Sequence, residues 1–333
     1  MTEQEGHDPR EELSPRNEHG FPGPQDQPSG GPLVDDGADE LPSDVVEVAA
    51  RSQWQIFRRK FFRHKLAMGS LIFLLLVVVA AFNAERIAPY AFDEINVTRA
   101  NTPPTFADLH FFGTDQLGRD YFSRVLFGTQ TSLRVAGVVA LFSTLIGTIV
   151  GAVAGYYRGW IDSILMRITD LVIIVPAIAV LLLAAALFGQ GDPIRIAIIL
   201  ALLLWTSLAR IVRGVFLSLR EKEYVQAARA AGAGDLRIMF RHMLPNTIGP
   251  IVVNMTLVLA AAIIIEATLS FLGIGVNPPT PALGVLINDG RSSMQTLWWL
   301  TIMPGIALVL IALSINFVGD GLRDALDPTQ QER

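Results

Sequence analysis

Long apolar runs alternate with short polar connections along most of the chain. Six of these runs approach the roughly 20 residues that a helix needs to cross the hydrocarbon core of a bilayer. They cover residues 66–83, 135–155, 169–188, 196–216, 248–274 and 297–318. Hydrophobic residues make up 51% of the chain, a high share for a protein that would have to stay dissolved. The pattern predicts an all-α, polytopic membrane protein with six transmembrane helices.

Basic residues predict which connections lie inside the cell. Lys and Arg crowd residues 51–65, a basic interfacial segment ahead of the first run, and residues 220–246, between the fourth and fifth runs. By the positive-inside rule, both segments face the cytoplasm. Six crossings then place both termini in the cytoplasm, with residues 327–333 as the cytoplasmic C-terminus. Residues 84–130 become an extracytoplasmic loop. The core that follows, residues 131–326, carries the other five spans. We predict a multi-pass protein of the plasma membrane.

The first 50 residues differ from the rest in charge and composition. They hold 13 Asp and Glu against 2 Lys and Arg, and they are rich in Pro and Gly. Such a segment cannot bury enough apolar surface to offset the entropy of ordering, so residues 1–50 are predicted to be a disordered, acidic cytoplasmic tail. A solvated spacer and a regulatory or partner-binding arm are both open interpretations.

Several kinds of chemistry are missing from the sequence. There is no cysteine, which excludes disulfides and thiolate catalysis. The chain also lacks a GxxxxGK[ST] phosphate loop, an HExxH or GxSxG motif and a clustered set of metal ligands. We therefore expect no enzyme activity, cofactor or metal on this chain. Its basic residues follow the membrane surface, so lipid is an expected partner and nucleic acid is not.

The most distinctive connection reads EYVQAARAAGAGDLRIMFRHMLP over residues 223–245. Its first part shows the spacing of one helix face, at Tyr224, Ala227, Ala228 and Ala231. Three alanines on that face allow another surface to approach the backbone closely. Gly232 is predicted to break the helix.

A second short helix is predicted after the glycine. Asp235 is its expected N-cap, and Pro245 is expected to stop it. One face carries the apolar residues Leu236, Met239, Phe240 and Met243. Another carries Arg237 and Arg241. Two amphipathic helices joined at a glycine indicate a docking element, although periodicity alone leaves open an ordinary solvated connection.

The letters of this connection resemble the EAA loop of ABC importer permeases, in which the loop fits a cleft of a partner ATPase. The resemblance rests on the Ala227–Ala228 pair, on Gly232 and on the Leu-Pro that ends at Pro245. Gln226 stands where many members have Glu, and His242 where many have Ile. We call residues 220–246 the coupling loop, and the resemblance implies that its contacts to the ATPase involve Glu223, Tyr224, Gln226, Ala227, Ala228, Gly232, Asp235, Arg237, His242 and Pro245.

A second motif, GTDQLGRD over residues 113–120, precedes the second span. It resembles the signature of dipeptide/oligopeptide-type permeases, the C-type partner of the pair, as does VNPPTPALGVLINDGRSSMQ before the sixth span. We call residues 113–120 the signature loop, and its marked positions are Gly113, Thr114, Asp115, Gly118, Arg119 and Asp120. Glycines and Asx residues suggest a fixed turn with Arg119 paired to a nearby carboxylate. This loop is either a structured outer loop or a surface for the companion permease or the binding protein.

The resemblance implies a type I ABC importer permease with the MetI-like fold. It also implies a homologous second permease that completes the pore, two ATP-binding subunits that hold ATP and Mg, and an extracytoplasmic substrate-binding protein. The implied cargo is di- or oligopeptides, with nickel complexes or other small solutes as an alternative. An ion-coupled secondary carrier and a membrane scaffold that uses the acidic tail are the other classes considered.

Polar residues inside spans are candidates for a translocation pathway because a buried charge is costly in a membrane. Glu266 is expected to line the cavity and to attract the positive end of a peptide. The alternatives are pairing with an Arg of the companion subunit or a place near the headgroups. Asn254 is a second pathway candidate, with interhelical hydrogen bonding as the alternative. Glycines at every fourth position, Gly147, Gly151 and Gly155, predict close helix packing.

Overall fold

The computed structural model describes residues 53–188 and 191–326. The predicted acidic tail, 1–50, and the predicted C-terminal segment, 327–333, lie outside the described residues. Within the described residues the chain is helical, with only isolated bridges at Thr114–Asp120 and Gly191–Val276. The prediction of an all-α protein is confirmed.

Thirteen α-helices follow one another in the described residues. They are α1 (Gln53–Arg63), α2 (Lys65–Phe82), α3 (Ala84–Ile87), α4 (Tyr121–Tyr157), α5 (Gly159–Ile174), α6 (Ala177–Phe188), α7 (Pro193–Leu204), α8 (Thr206–Arg220), α9 (Glu223–Ala230), α10 (Asp235–Arg237), α11 (Leu244–Phe271), α12 (Leu283–Arg291) and α13 (Trp299–Leu326). A short 3-10 turn covers Val97–Arg99, and a π-helical turn, Ile238–Met243, joins α10 to α11.

Five helical segments are long and apolar enough to cross a membrane, and they are Lys65–Phe82, Tyr121–Tyr157, Pro193–Arg220, Asp235–Phe271 and Trp299–Leu326. The third predicted span, 169–188, differs from expectation because α5 and α6 meet at an angle of 80°. Pro176 lies at this bend, since proline has no N–H to donate and keeps the residue before it out of helical conformation. Moreover, α5 begins at Gly159, in what was predicted to be a connection.

The second span also begins earlier than predicted, at Tyr121 instead of residue 135. The side chain of Asp120 caps the helix by accepting a hydrogen bond of 2.8 Å from the Ser123 N–H. The first turns of α4 mix apolar with polar residues, and Ser123 and Arg124 are buried there by protein contacts. Hydropathy missed these turns because protein, not lipid, surrounds them.

The glycine stripe on α4 packs against α8, as predicted. A Cβ added at Gly147 would lie 2.6 Å from the Trp205 carbonyl oxygen, and one added at Gly155 would lie 2.6 Å from Cβ of Phe216. An added Cβ at Gly151 would overlap the Ala209 carbonyl oxygen. The two helices therefore approach closely only because these positions carry no side chain.

Different segments lie at the two ends of the bundle. The signature loop and α12 lie at one end, where Nε1 of Trp299, at the start of α13, donates to the Thr114 carbonyl oxygen. The coupling loop lies at the other end. That end also holds the junction of α1 with α13, where Phe61, Ala67 and Ala325 form a small apolar cluster. The first and last described helices thus meet at the same end as the coupling loop, as an even number of crossings requires.

Candidate functional site

The first helix of the coupling loop, α9, packs against the bundle through a buried valine. Val225 is fully buried in an apolar cluster with Phe216 of α8 and Ile238 of the π-helical turn. Most of the face predicted from periodicity is exposed, with Tyr224 43% exposed and Ala228 half-buried. Periodicity therefore identified the more exposed face of the helix. Val225, which anchors α9, was missed because it does not belong to the predicted set of i, i+3, i+4 and i+7 positions.

Gly232 ends α9, as predicted, and does so in a Schellman motif. Its φ is +80°. Its N–H donates to the Arg229 carbonyl oxygen at 3.0 Å, and the Ala233 N–H donates to the Ala228 carbonyl oxygen at 3.1 Å. A Cβ added at Gly232 would meet no atom within 4 Å. The need for glycine thus comes from the backbone conformation alone.

Two predicted helix boundaries in the coupling loop are wrong. The N-cap of α10 is Gly234, and Asp235 is already helical. Pro245 does not stop the helix, because a helical segment runs without interruption from Asp235 to Phe271. The Leu244 N–H donates to the Met239 carbonyl oxygen, five residues back, just before the proline. This wider π turn precedes a residue that has no N–H for the usual bond four residues back.

Asp235 instead contacts the last turn of α4. The Tyr156 hydroxyl donates a hydrogen bond of 2.7 Å to Oδ1 of Asp235. The guanidinium carbons of Arg220 and Arg229 lie 5.9 and 5.7 Å from the centre of the Tyr156 ring. Nη1 of Arg220 also donates to the Tyr156 carbonyl oxygen at 2.7 Å. One side chain therefore joins α4, α8, α9 and α10.

Tyr156 was missed by sequence reasoning because an aromatic residue at the end of an apolar run is typical of any membrane interface. A hollow of about 430 Å³ opens beside it, lined by Arg220, Glu221, Gln226, Arg229 and Ala230. Gln226, at the position where many family members carry Glu, donates to the Glu221 carbonyl oxygen at 3.2 Å. Its amide thus contacts the loop itself.

The apolar face predicted for the second helix of the coupling loop is split by the structure. Met239 and Met243 are buried, whereas Leu236 and Phe240 are 67% and 64% exposed. Inward and outward residues therefore form two separate i, i+4 pairs. Arg237 and Arg241 are exposed and form no ion pair with any described residue. His242 is half-buried, and its carbonyl oxygen accepts a hydrogen bond of 2.7 Å from Asn246.

The signature loop is a fixed turn built around Asp115. Oδ1 accepts from the backbone N–H groups of Leu117 and Arg119 at 2.9 and 3.0 Å. Oδ2 accepts from Nε of Arg119 at 2.7 Å and from Nη1 of Arg124 at 2.9 Å. The predicted pairing of Arg119 with a nearby carboxylate is confirmed.

The other marked positions of the signature loop also contact their own chain. Gly113 and Gly118 both have φ of +74°, and a Cβ on Gly118 would overlap the Asn96 carbonyl oxygen. The Thr114 carbonyl oxygen accepts from Nε1 of Trp299 at 3.1 Å. Asp120 caps α4 and contacts Nδ1 of His110 at 2.8 Å. These contacts show that the motif forms a structured loop that packs against the start of α13.

Glu266 does not line a cavity in this structure, contrary to expectation. It is fully buried, and its two carboxylate oxygens accept hydrogen bonds of 2.7 Å from the hydroxyls of Ser132 and Ser270. The alternatives, pairing with an arginine of the companion subunit and a place near the headgroups, stay predictions. The Ser270 hydroxyl in turn accepts from the Val276 N–H at 3.1 Å. Glu266 thus joins α4 and α11 to the loop that follows α11.

Asn254 lies within α11 and is 7% exposed. Its Oδ1 has no hydrogen-bond partner among the described residues, so the expected interhelical bond is not present. The described residues also contain no group of three or more acidic or histidine side chains that could hold a metal ion.

Comparison with known proteins places these features in a family. Residues 147–331 match the binding-protein-dependent transport system inner membrane component family, and residues 52–104 match the N-terminal TM domain of oligopeptide transport permease C. The chain is similar to the glutathione transport system permease protein GsiD of Pectobacterium atrosepticum, with 40% identity over 285 residues, which cover 85% of this chain and 94% of that protein.

The same permease protein of Escherichia coli is 43% identical over 280 residues, covering 84% of this chain and 91% of the relative. Among solved structures, the MetNI methionine ABC transporter in inward-facing conformations gives a TM-score of 0.48 at 19% identity, over 62% of this chain and 97% of that one. The family matches and the two permease relatives show that the chain belongs to the dipeptide/oligopeptide-type ABC importer permeases, as a membrane-embedded transport subunit.

Proposed function

We propose that this chain forms the translocation pathway of an ATP-driven importer for short peptides, together with a homologous second permease. The proposal of a peptide cargo is supported by the relatives, which are named for glutathione, itself a tripeptide. Nickel complexes and other small solutes are the alternative cargo. An ion-coupled carrier does not fit the family to which the chain belongs.

In this proposal the coupling loop docks on an ATP-binding subunit on the cytoplasmic side. The observation that carries it is the orientation of α9. Val225 is buried, whereas the predicted face is exposed except at Ala228, which is half-buried. Leu236 and Phe240 extend the exposed apolar surface, and Arg237 and Arg241 add positive charge beside it. Exposed apolar patches of this kind mark interaction sites, so a partner is expected to cover the surface.

Movement of the docked loop would reach the spans through Tyr156. Its hydrogen bond to Asp235 and its contacts with Arg220 and Arg229 link the loop to the ends of α4 and α8. Because α4 packs tightly on α8 through glycines, the two helices would move as a unit. A rigid connection of this kind is what transmission over a distance requires.

The proposed cycle is alternating access, with both termini in the cytoplasm. ATP and Mg²⁺ bind to the two partner ATPase subunits, and closure of those subunits carries the coupling loops with it. The spans then open the cavity outward, where an extracytoplasmic binding protein releases the peptide. Hydrolysis and product release restore the inward-facing state. In this cycle the chain itself binds no nucleotide and performs no hydrolysis.

The test is ATP-dependent uptake by proteoliposomes that contain the full assembly of both permeases, the ATPase subunits and the binding protein. Labelled glutathione, triglycine and a nickel chelate are offered separately. Uptake of either peptide that requires ATP, without uptake of the chelate, supports the proposal. Uptake of the chelate alone would assign the alternative cargo. Uptake driven by an ion gradient without ATP would overturn the proposed mechanism.

A further inference from the structure

Helix α1 has two opposite faces with different environments. Phe61, 8% exposed, packs with Ala67 and Ala325, and Phe57 and Leu322 border the same apolar cluster. This face fixes α1 against the end of α13. The opposite face carries four exposed side chains, Arg58, Arg59, Phe62 and Arg63.

The exposed face of α1 surrounds a hollow of about 490 Å³, lined by these four side chains. None of the three guanidinium groups forms an ion pair or hydrogen bond with a residue that the structure describes. Guanidinium groups match the geometry of phosphate oxygens and can bind them through two parallel hydrogen bonds. The hollow therefore has the charge and the donors of a phosphate site.

The surface next to this hollow is apolar and continues along α2. That helix starts at Lys65, directly after α1, and its exposed stripe begins with Leu66, 63% exposed, and continues through Ile72 and Leu76 at 54% and 64%. Phe62, 60% exposed, lies where the two surfaces meet. A ligand that fits both would carry a phosphate at one end and hydrocarbon at the other.

We propose that the face of α1 formed by Arg58, Arg59 and Arg63 binds the phosphate of an anionic phospholipid whose acyl chains lie along α2. Anionic headgroups fit better than zwitterionic ones because no cation on the lipid offsets the phosphate charge. The bound lipid would hold α1 at the membrane surface and so fix the start of the first span. The proposal goes beyond the proposed function and stands whatever the importer carries.

The test measures which lipids the full-length chain retains. The chain is reconstituted in vesicles that contain phosphatidylglycerol and phosphatidylcholine, extracted in mild detergent, and its bound lipids are quantified by mass spectrometry. The site variant is Arg59→Gln with Arg63→Gln. The matched control is Arg237→Gln with Arg241→Gln, which removes the same charge at the same i, i+4 spacing from the same end of the molecule. Helix content by circular dichroism verifies that both variants fold.

We expect the wild type and the control to retain phosphatidylglycerol preferentially. In the site variant, the ratio of retained phosphatidylglycerol to phosphatidylcholine should fall roughly tenfold, because each basic residue adds attraction near an anionic surface. Equal preference in the site variant and the control would overturn the proposal. So would a zero-length cross-link between Lys65 and a carboxylate of residues 1–50 in the lipid-bound chain, because the acidic segment would then be the occupant.

Discussion

The Tyr156 hydroxyl donates a hydrogen bond of 2.7 Å to the Asp235 carboxylate, and this bond joins the last turn of a membrane span to the middle of the coupling loop. The tyrosine is 4% exposed, and the guanidinium groups of Arg220 and Arg229 lie within 6 Å of its ring centre. Asp235, by contrast, is exposed. The contact therefore connects a buried residue of the bundle with an exposed residue of the coupling loop.

Removal of this bond is expected to uncouple ATP hydrolysis from transport. Tyr156→Phe keeps the ring beside Arg220 and Arg229 and deletes only the hydroxyl. We expect about 1.5–3 kcal/mol of lost coupling, the usual strength of a hydrogen bond to a charged group, and therefore a fall of about tenfold or more in peptide imported per ATP hydrolysed. The measurement is the ratio of uptake to phosphate release in proteoliposomes.

Asp235→Asn is the matched control for this prediction, because its amide oxygen still accepts the tyrosine hydrogen. It should keep most of the wild-type ratio. A normal ratio in Tyr156→Phe would show that the bond has no part in coupling.

The effect of a substitution at Gly232 should depend on whether the new residue can adopt a positive φ, and not on the size of its side chain. Its φ is +80° and an added Cβ has free space, so Gly232→Val is expected to abolish transport through strain of about 1–3 kcal/mol at a β-branched residue. Gly232→Asn should retain much of the activity, because Asn adopts this conformation more readily. The measurement is uptake, normalised to the amount of inserted protein.

Gly214→Val on α8 is the control for chain expression and insertion, since an added Cβ there also meets no atom within 4 Å and the backbone has no positive φ. Normal uptake by Gly232→Val would remove the case for a rigid loop.

Ala228 is expected to require a small side chain at the interface with the ATP-binding subunit. Ala228→Glu should abolish transport and release the ATP-binding subunit during purification, because a longer, charged side chain keeps the two surfaces apart. Ala228→Ser should retain both properties. Co-purification measured by quantitative gel analysis distinguishes the two variants, and full retention of the ATPase by Ala228→Glu would contradict docking at this face.

Glu266 is expected to support the bundle and not to select cargo by charge. Glu266→Gln keeps an acceptor oxygen for one of the two serine hydroxyls and places an NH2 donor beside the oxygen of the other, so uptake of acidic, neutral and basic peptides should change by the same small factor. Glu266→Ala leaves both hydroxyls without the acceptor they have in the wild type and should lower the free energy of unfolding by about 2–4 kcal/mol. Thermal unfolding in detergent measures this loss. A change in Glu266→Gln that affects basic peptides alone would restore a role in the pathway.

The apolar runs predicted the spans well because most of each span is surrounded by hydrocarbon or by apolar side chains. Prediction failed where protein replaces lipid. The first turns of α4 contain Ser123 and Arg124, which are buried by other parts of the chain, so no apolar run marks them. The first part of helix α5, before residue 169, was missed for a related reason, because Asp162 pairs with Arg213 of α8 through two short hydrogen bonds.

The coupling loop was predicted in outline from its letters, but its internal geometry was not. Gly232 carries a local signal that a sequence shows, whereas the bond from Tyr156 to Asp235 joins residues 79 positions apart. The π turn before Pro245 likewise depends on the burial of Met239 and Met243 against other helices. Contacts of this kind are set by packing, and periodicity within one segment carries no information about them.

The central claim is that the outward face of α9 docks on the ATP-binding subunit, and site-specific cross-linking tests it most directly. The natural chain has no cysteine, so single cysteines can be introduced without further changes. Ala227→Cys, on the outward face, should form a cross-link to the ATP-binding subunit in the assembled transporter, whereas Val225→Cys, on the buried side, should not. Absence of a cross-link from Ala227→Cys, in an assembly that retains both subunits, would contradict the account.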